Sequence, residues 1–194
     1  MYKNGFFSGK IITHWLTDQK PNRNMQLVED YSYTDLDNNN WDAPKDSIIN
    51  GASIPQALWT VVGSPYTGNY RNASVIHDVA CDQAKTKAER KKADNMFYYA
   101  CLAGGCPPNQ ARVFYVAVRI GAWVDTLITS SSDTTFDESF FKPGMGKEEK
   151  KNAYLLNKLK DIGTTIYDYP DDTTPEILDA VIDSTLPLAI DFSF

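Results

Sequence analysis

The chain has 194 residues, with 19 Lys and Arg set against 25 Asp and Glu, for a net charge of −6. That length suits one domain with its own core, or one domain plus an appendage. No apolar run is long enough to span a membrane, so a transmembrane protein is excluded on this reading. The charge is uneven: residues 161–194 hold eight acidic side chains and no Lys or Arg, while the rest sums to about +2. An acidic end opposes nucleic-acid binding, which rests on neutralising phosphates. The N-terminal residues turn polar too soon for a secretory signal, so the protein is expected to be made in the cytoplasm without a signal peptide. Cys81, Cys101 and Cys106 make neither a disulfide framework nor a zinc spacing; they are expected to be mostly buried free thiols, with room for at most one bridge.

In chain order, the first fifty residues read as strands. Phe6–Ile12 and Gln26–Tyr33 are rich in aromatic and β-branched residues, and Asp37-Asn38-Asn39-Asn40 reads as a turn before Trp41-Asp42-Ala43. A small antiparallel sheet is the expected product. Residues 50–68 form a Gly- and Pro-punctuated loop, with one helical turn expected between Ile54 and Val62 and Pro55 at its first position. The period then becomes helical: Ala73, Ile76, Ala80 and Ala84 mark a helix from Tyr70 to Ala84. A second helix runs from Ala88 to Leu102, with Met96, Phe97, Ala100 and Cys101 inward, and Gly104-Gly105 stops it. The link Lys85-Thr86-Lys87 is short enough to make the two helices antiparallel neighbours. Pro107-Pro108-Asn109 opens a third helix to about Ile128, with Phe114, Val118, Gly121 and Asp125 on one stripe. After the polar boundary Ser130–Thr135 come helices at Lys147–Ile162 and Pro175–Ser184, with Thr174 as N-cap, and an apolar extended end, Leu186–Phe194. The expected architecture is α+β, a small N-terminal antiparallel sheet followed by a helical body. Residues 1–129 form the core domain, and 130–194 an acidic helical extension packed on it, its acidic groups a solvated face.

The candidate chemistry lies in residues 50–102. His77 and Asp78 are adjacent on one helix and point about 100° apart, so Asp78 does not orient the His77 ring. Asp94, about two turns from the same connection on the second helix, stands at the right height to do so. Two jobs follow: His77 as a base on water with Asp94 as its orienting carboxylate, and Asp78 as a cation ligand. The small residues of Asn50-Gly51-Ala52-Ser53-Ile54-Pro55 let backbone groups approach a ligand or ion. Set against this is a core histidine in a buried polar network and a purely structural turn. Ser53 as nucleophile lacks the strand-turn-helix context. Cys81, one turn after His77, could pair with it, but a mid-helix Cys among apolar neighbours reads as inert packing. His14 reads as a strand-end residue, and a zinc site with His77 lacks a third ligand.

Taken together, Asn50-Gly51-Ala52-Ser53-Ile54-Pro55, Leu58-Trp59, Gly63-Ser64-Pro65-Tyr66, Ile76-His77-Asp78 and Ala93-Asp94-Asn95-Met96-Phe97 resemble the phage and prophage family called domain of unknown function 1353, over roughly residues 5–125. Its pattern runs D-G-A-S-I-P, L-W, G-P, I-H-D and A-D-x-x-F. That pattern in turn resembles prokaryotic secreted phospholipase A-two. The second resemblance implies water activation by His77, orientation of His77 by Asp94, and calcium held by Asp78 with Asn50 and the loop Gly51, Ala52 and Ser53. Here Asn50 replaces an Asp, which weakens calcium binding by one charge. Cys81 replaces a Tyr, which removes a hydroxyl that braces Asp94.

The resulting expectation is a hydrolase of the bacterial envelope, cleaving a phospholipid ester or peptidoglycan bond through a His77/Asp94 dyad with weak calcium. A phage or contractile secretion machine would deliver it to the envelope or periplasm of a target cell, with an immunity protein as partner. The rivals are a non-enzymatic phage structural or interaction protein, in which His77, Asp78 and Asp94 fix the helix pair, and an inhibitor of a host defence enzyme.

Overall fold

The first β-rich run keeps only its start as strand, a further strand follows it, and the second run breaks in its middle, so two sheets form where one was expected. Gly9 at φ +70° ends β1 (Phe6–Phe7) and turns the chain toward β2 (Thr13–Trp15). A bend at 28–30 separates β3 (Met25–Leu27) from β4 (Tyr31–Thr34). β5 (Asn40–Ala43) and β6 (Ile48–Ile49) follow. All pairings are antiparallel, in the orders β1-β4-β5 and β2-β3-β6. The computed structural model describes residues 3–18, 23–51, 54, 56–64, 67–130 and 144–186. Ala52, Ser53 and Pro55, the polar boundary from Ser131, and the apolar end from Pro187 lie outside the described residues.

The strand alternation is clean where a strand faces the helices. Tyr31 and Tyr33 are buried, Ser32 and Thr34 turn outward, and Phe7 stacks on Tyr31 with ring centroids 5.8 Å apart. The expected turn at 37–40 is held by Asp35. Its carboxylate accepts from the amides of Asp37 and Asn39 and from Trp41 Nε1, all at 2.9–3.0 Å.

Six α-helices follow among the described residues. A 3-10 turn at Gln56–Leu58 leads into α1 (Trp59–Val62). Then come α2 (Arg71–Gln83), α3 (Lys87–Ala103), α4 (Pro108–Ser130), α5 (Lys147–Ile166) and α6 (Pro175–Thr185). The N-terminus of α3 carries a capping box: Thr86 accepts from the Glu89 amide, and Glu89 accepts from the Thr86 amide. The S/T-x-x-E signature was readable in the sequence. Thr174 occupies the N-cap of α6 but makes no side-chain cap bond; Pro175 at the first position starts the helix instead.

α4 is the centre of the helical body. Its buried residues go beyond the expected stripe and the flanking Ala111 and Tyr115, to Val116, Ala117 and Ile120 on the other faces. Full burial of each large apolar side chain contributes about 1.5–3 kcal/mol. The one long cation sealed here, Arg112, replaces the missing basic residue at the end of α5. It donates to the carbonyls of Ile166, Tyr167 and Pro170 at 3.0, 2.8 and 3.1 Å. The Tyr98 hydroxyl donates to the Thr173 carbonyl at 2.7 Å, so α3 and α4 together hold the α5–α6 turn. The solvated-face expectation holds for exposed Asp161, Asp168, Asp171, Asp172, Glu176 and Asp183. It fails for Asp179, which is buried and paired to Lys91 Nζ at 2.7 Å and Arg119 Nε at 3.2 Å. No helix among the described residues is long and apolar enough to cross a membrane.

Candidate functional site

α2 and α3 run antiparallel about the short link after Gln83, and this sets His77 opposite Asp94. His77 Nε2 meets Asp94 Oδ1 at 2.8 Å, and neither side chain has any solvent exposure. One face of the ring packs on Phe97, with centroids 4.7 Å apart. Cys81, one helical turn on, places its Sγ 3.3 Å from His77 Nε2. Arg119 of α4 reaches the other Asp94 oxygen, Oδ2, at 3.1 Å, and Arg90 of α3 lies 3.6 Å from Oδ1. Arg119 also holds Asp179, whose Oδ1 lies 2.8 Å from the Tyr115 hydroxyl. The result is a junction of alternating charge that joins α2, α3, α4 and α6.

The electrostatics of the pair follow from that arrangement. Burial pushes the His77 ring down, but Cys81 and Asp94 beside it push it up further, to about 10. Burial likewise pushes the Asp94 carboxyl up, and His77, Arg119 and Arg90 outweigh it and hold it below its ordinary value. Both shifts run toward the ionised pair, an imidazolium beside a carboxylate.

Asp78 has a different job. Its Oδ2 accepts from two successive backbone amides, Asn50 at 2.8 Å and Gly51 at 2.6 Å. Gly51 has φ +118°, a conformation that favours glycine and brings both N–H groups onto one oxygen. Calcium needs oxygen ligands. At its described residues the loop turns two amide hydrogens, those of Asn50 and Gly51, to Asp78 Oδ2. Gly51 lies where the loop reading put it, beside the site; Ala52 and Ser53 lie outside the described residues.

Next to Asp78 an open cleft of about 250 Å³ separates α2 from the β2-β3-β6 sheet. Arg71, Ser74, Val75 and Asp78 form its helix wall, at successive turns of α2; Thr13, Trp15, Met25 and Ile49 form its sheet wall. His77 faces away from it, into the α2–α3 seam. His14 is exposed on β2, opposite Gln26, and takes no part in the site. Reading the sequence placed His77, Asp94, Asp78 and the loop together. It missed Arg119, although a lone Arg in Val116-Ala117-Val118-Arg119-Ile120 signals a buried ionic partner, and it ranked a Cys81–His77 pair below inert packing, where the i, i+4 spacing brings the two into contact.

An α+β chain with a buried ionic junction beside an open cleft is therefore the class of protein described here. Residues 25–118 match the family model described as "Protein of unknown function (DUF1353)", which supports that family for the segment holding Asn50, His77, Asp78 and Asp94. The chain is similar to "Uncharacterized protein y4jT" of Sinorhizobium fredii (strain NBRC 101917 / NGR234), at 38% identity over 101 residues, covering 52% of this chain and 30% of that protein. It is similar also to "Uncharacterized protein y4iH" of the same organism, at 37% identity over 92 residues, covering 47% of this chain and 38% of that protein. The chain thus spans about a third of the length of these curated relatives. No solved structure matches the chain.

Proposed function

We propose that the chain is a non-enzymatic interaction protein, in which the His77–Asp94–Arg119 junction fixes the helices and the cleft between α2 and the β2-β3-β6 sheet is the recognition surface. The observation that carries this reading is the zero exposure of both His77 and Asp94 beside an open cleft that His77 does not line. A general base needs a free lone pair within hydrogen-bond reach of the proton it removes. His77, sealed from solvent with Nε2 on Asp94, is out of reach of any proton in the cleft. The cleft joins an exposed cation, Arg71, and a hydroxyl, Ser74, to apolar walls at Met25, Ile49 and Val75, which suits a ligand with one polar and one apolar end. Carriage by a phage particle or secretion machine, and a host defence enzyme or immunity protein as partner, are part of this proposal and rest on the family resemblance.

A second reading, the envelope hydrolase, is favoured by one specific contact: the 2.8 Å His77–Asp94 bond has the geometry of a base and its orienting carboxylate. It requires the wall of the cleft to open onto His77. One experiment separates the two. Wild type and His77→Gln are expressed in the bacterial periplasm, with lysis and thermal melting measured together. The interaction reading expects a harmless wild type and a variant that melts much lower. A toxic wild type and a harmless variant of unchanged melting temperature would replace it with the hydrolase. Arg71→Ala tests the cleft itself: ligands from a peptide and small-molecule panel that raise the wild-type melting temperature should lose that effect in the variant.

A further inference from the structure

The close approach of three different ligand types at one point of the α2–α3 seam has no role in the cleft. We propose that His77 Nε2, Cys81 Sγ and Asp94 Oδ1 form a binding site for a soft divalent cation of the zinc class. The inference does not depend on the interaction reading above, since the cleft lies on the other side of α2.

The three ligand atoms lie within 4.8 Å of one another, and all three residues are buried. Two of the separations are 2.8 Å for Nε2 to Oδ1 and 3.3 Å for Nε2 to Sγ. Zinc bonds of about 2.0–2.3 Å in a tetrahedral frame place such atoms about 3.3 and 3.6 Å apart. The pair therefore opens by about half an ångström to admit the ion, within the reach of side-chain torsions. His77 and Cys81 are i, i+4 on α2, which puts both on one face. Asp94 comes from α3, so the ion ties the two helices together.

The charges balance. Binding releases the proton on Nε2 and the thiol proton, leaving a neutral ring, a thiolate and a carboxylate around a dication. A thiolate with an imidazole selects zinc or cobalt over calcium and magnesium. The outer shell is already built: Arg119 holds Asp94 through the oxygen facing away from His77, and Asp179 holds Arg119 in turn. Arg90 Nε, at 3.6 Å from Oδ1, is the cation nearest the ligating oxygen, and its partly exposed side chain has to swing outward as the ion enters.

The test uses the full chain, purified without chelators, with metal content measured by mass spectrometry and cobalt(II) titrated into chelator-treated protein. The expected result is close to one equivalent of zinc or cobalt per chain. Cobalt should give a near-ultraviolet thiolate-to-metal band whose visible bands report the coordination number. Cys81→Ala and Cys81→Ser should abolish that band while circular dichroism shows a folded protein. Zinc should raise the melting temperature of wild type but not of either variant. A wild type that takes up less than a tenth of an equivalent, or a thiolate band that survives in both variants and so comes from Cys101 or Cys106, would overturn the site. In that case the junction holds a proton alone.

Discussion

Arg119 lies on a different helix from the His77–Asp94 pair, yet its Nη1 meets Asp94 Oδ2 at 3.1 Å and its Nε meets Asp179 Oδ1 at 3.2 Å. One guanidinium thus serves two buried carboxylates, one on α3 and one on α6. Removing it takes one cation from each, leaving Asp94 to His77 and Asp179 to the half-exposed Lys91.

Arg119→Met is therefore expected to destabilise the protein by about 3–5 kcal/mol, the usual loss when one partner of a buried charge pair disappears. Urea unfolding of variant and wild type measures it. Double replacement with Asp179→Leu should recover part of the loss, because the second charge is removed as well. A loss below about 1 kcal/mol for Arg119→Met would place these carboxylates in water.

The pair also predicts a pH profile, best read in chelator-treated protein. His77 is held above its ordinary 6.5, at about 10, so its contribution is complete below about pH 6.5 and is lost as the pH rises toward 10. Asp94 is held below its ordinary 3.8, so its contribution is present above that value and is lost as the pH falls through the depressed one. Urea midpoints should peak between about pH 4 and 6.5 and decline on the alkaline side. His77→Gln should flatten that alkaline limb; a limb of equal slope in the variant would assign it to other groups.

Asp78→Ala is expected to free the Asn50 and Gly51 amides. Hydrogen bonds to a charged acceptor contribute about 1.5–3 kcal/mol each, so these two amides should lose protection from exchange selectively. Calcium at millimolar concentration should give no heat in calorimetry with wild type, because the Asn50 and Gly51 amides already hold Asp78 Oδ2. Stoichiometric calcium heat that Asp78→Ala abolishes would show that the loop turns over to present its carbonyls.

Arg112→Met leaves three carbonyls at the end of α5 without their buried donor. The expected result is a lower urea midpoint, with the first loss of amide protection in the α5–α6 turn. Uniform loss across the chain would contradict a local capping role.

Much of this fold was legible because its helices follow strong local rules. The 3.6-residue period marked α2 and α3, Gly104-Gly105 marked the stop, and Pro175 marked the start of α6. The His77–Asp94 pairing came from the brevity of the Lys85-Thr86-Lys87 link, which fixes the heights of the two residues. What escaped depends on partners distant in sequence. The split of the strands into two sheets is decided by a bend near Asp30 and by Ile48–Ile49, two residues too few to show a period. Arg112 and Arg119 read as breaks in an apolar helix until the carbonyls at the end of α5 and the carboxylate of Asp179 stand opposite them. The burial of His77 is likewise a property of Phe97 and the helices around it, which no local pattern reveals.

The α2–α3 pair is fastened at both ends. At one end the capping box of Thr86 and Glu89 closes the link; at the other, Asn69 Nδ2 donates to the Gly105 carbonyl at 2.8 Å, and a Cβ on Gly104 would sit 2.5 Å from the Asn69 carbonyl oxygen. Two helices pinned in this way cannot slide past each other by a turn. The alignment of His77 with Asp94 is then inherited from the ends of the hairpin and not created by the attraction between the two side chains. Evolution can accordingly exchange the groups at these two positions, proton for metal or charge for apolar contact, on a frame whose alignment does not move.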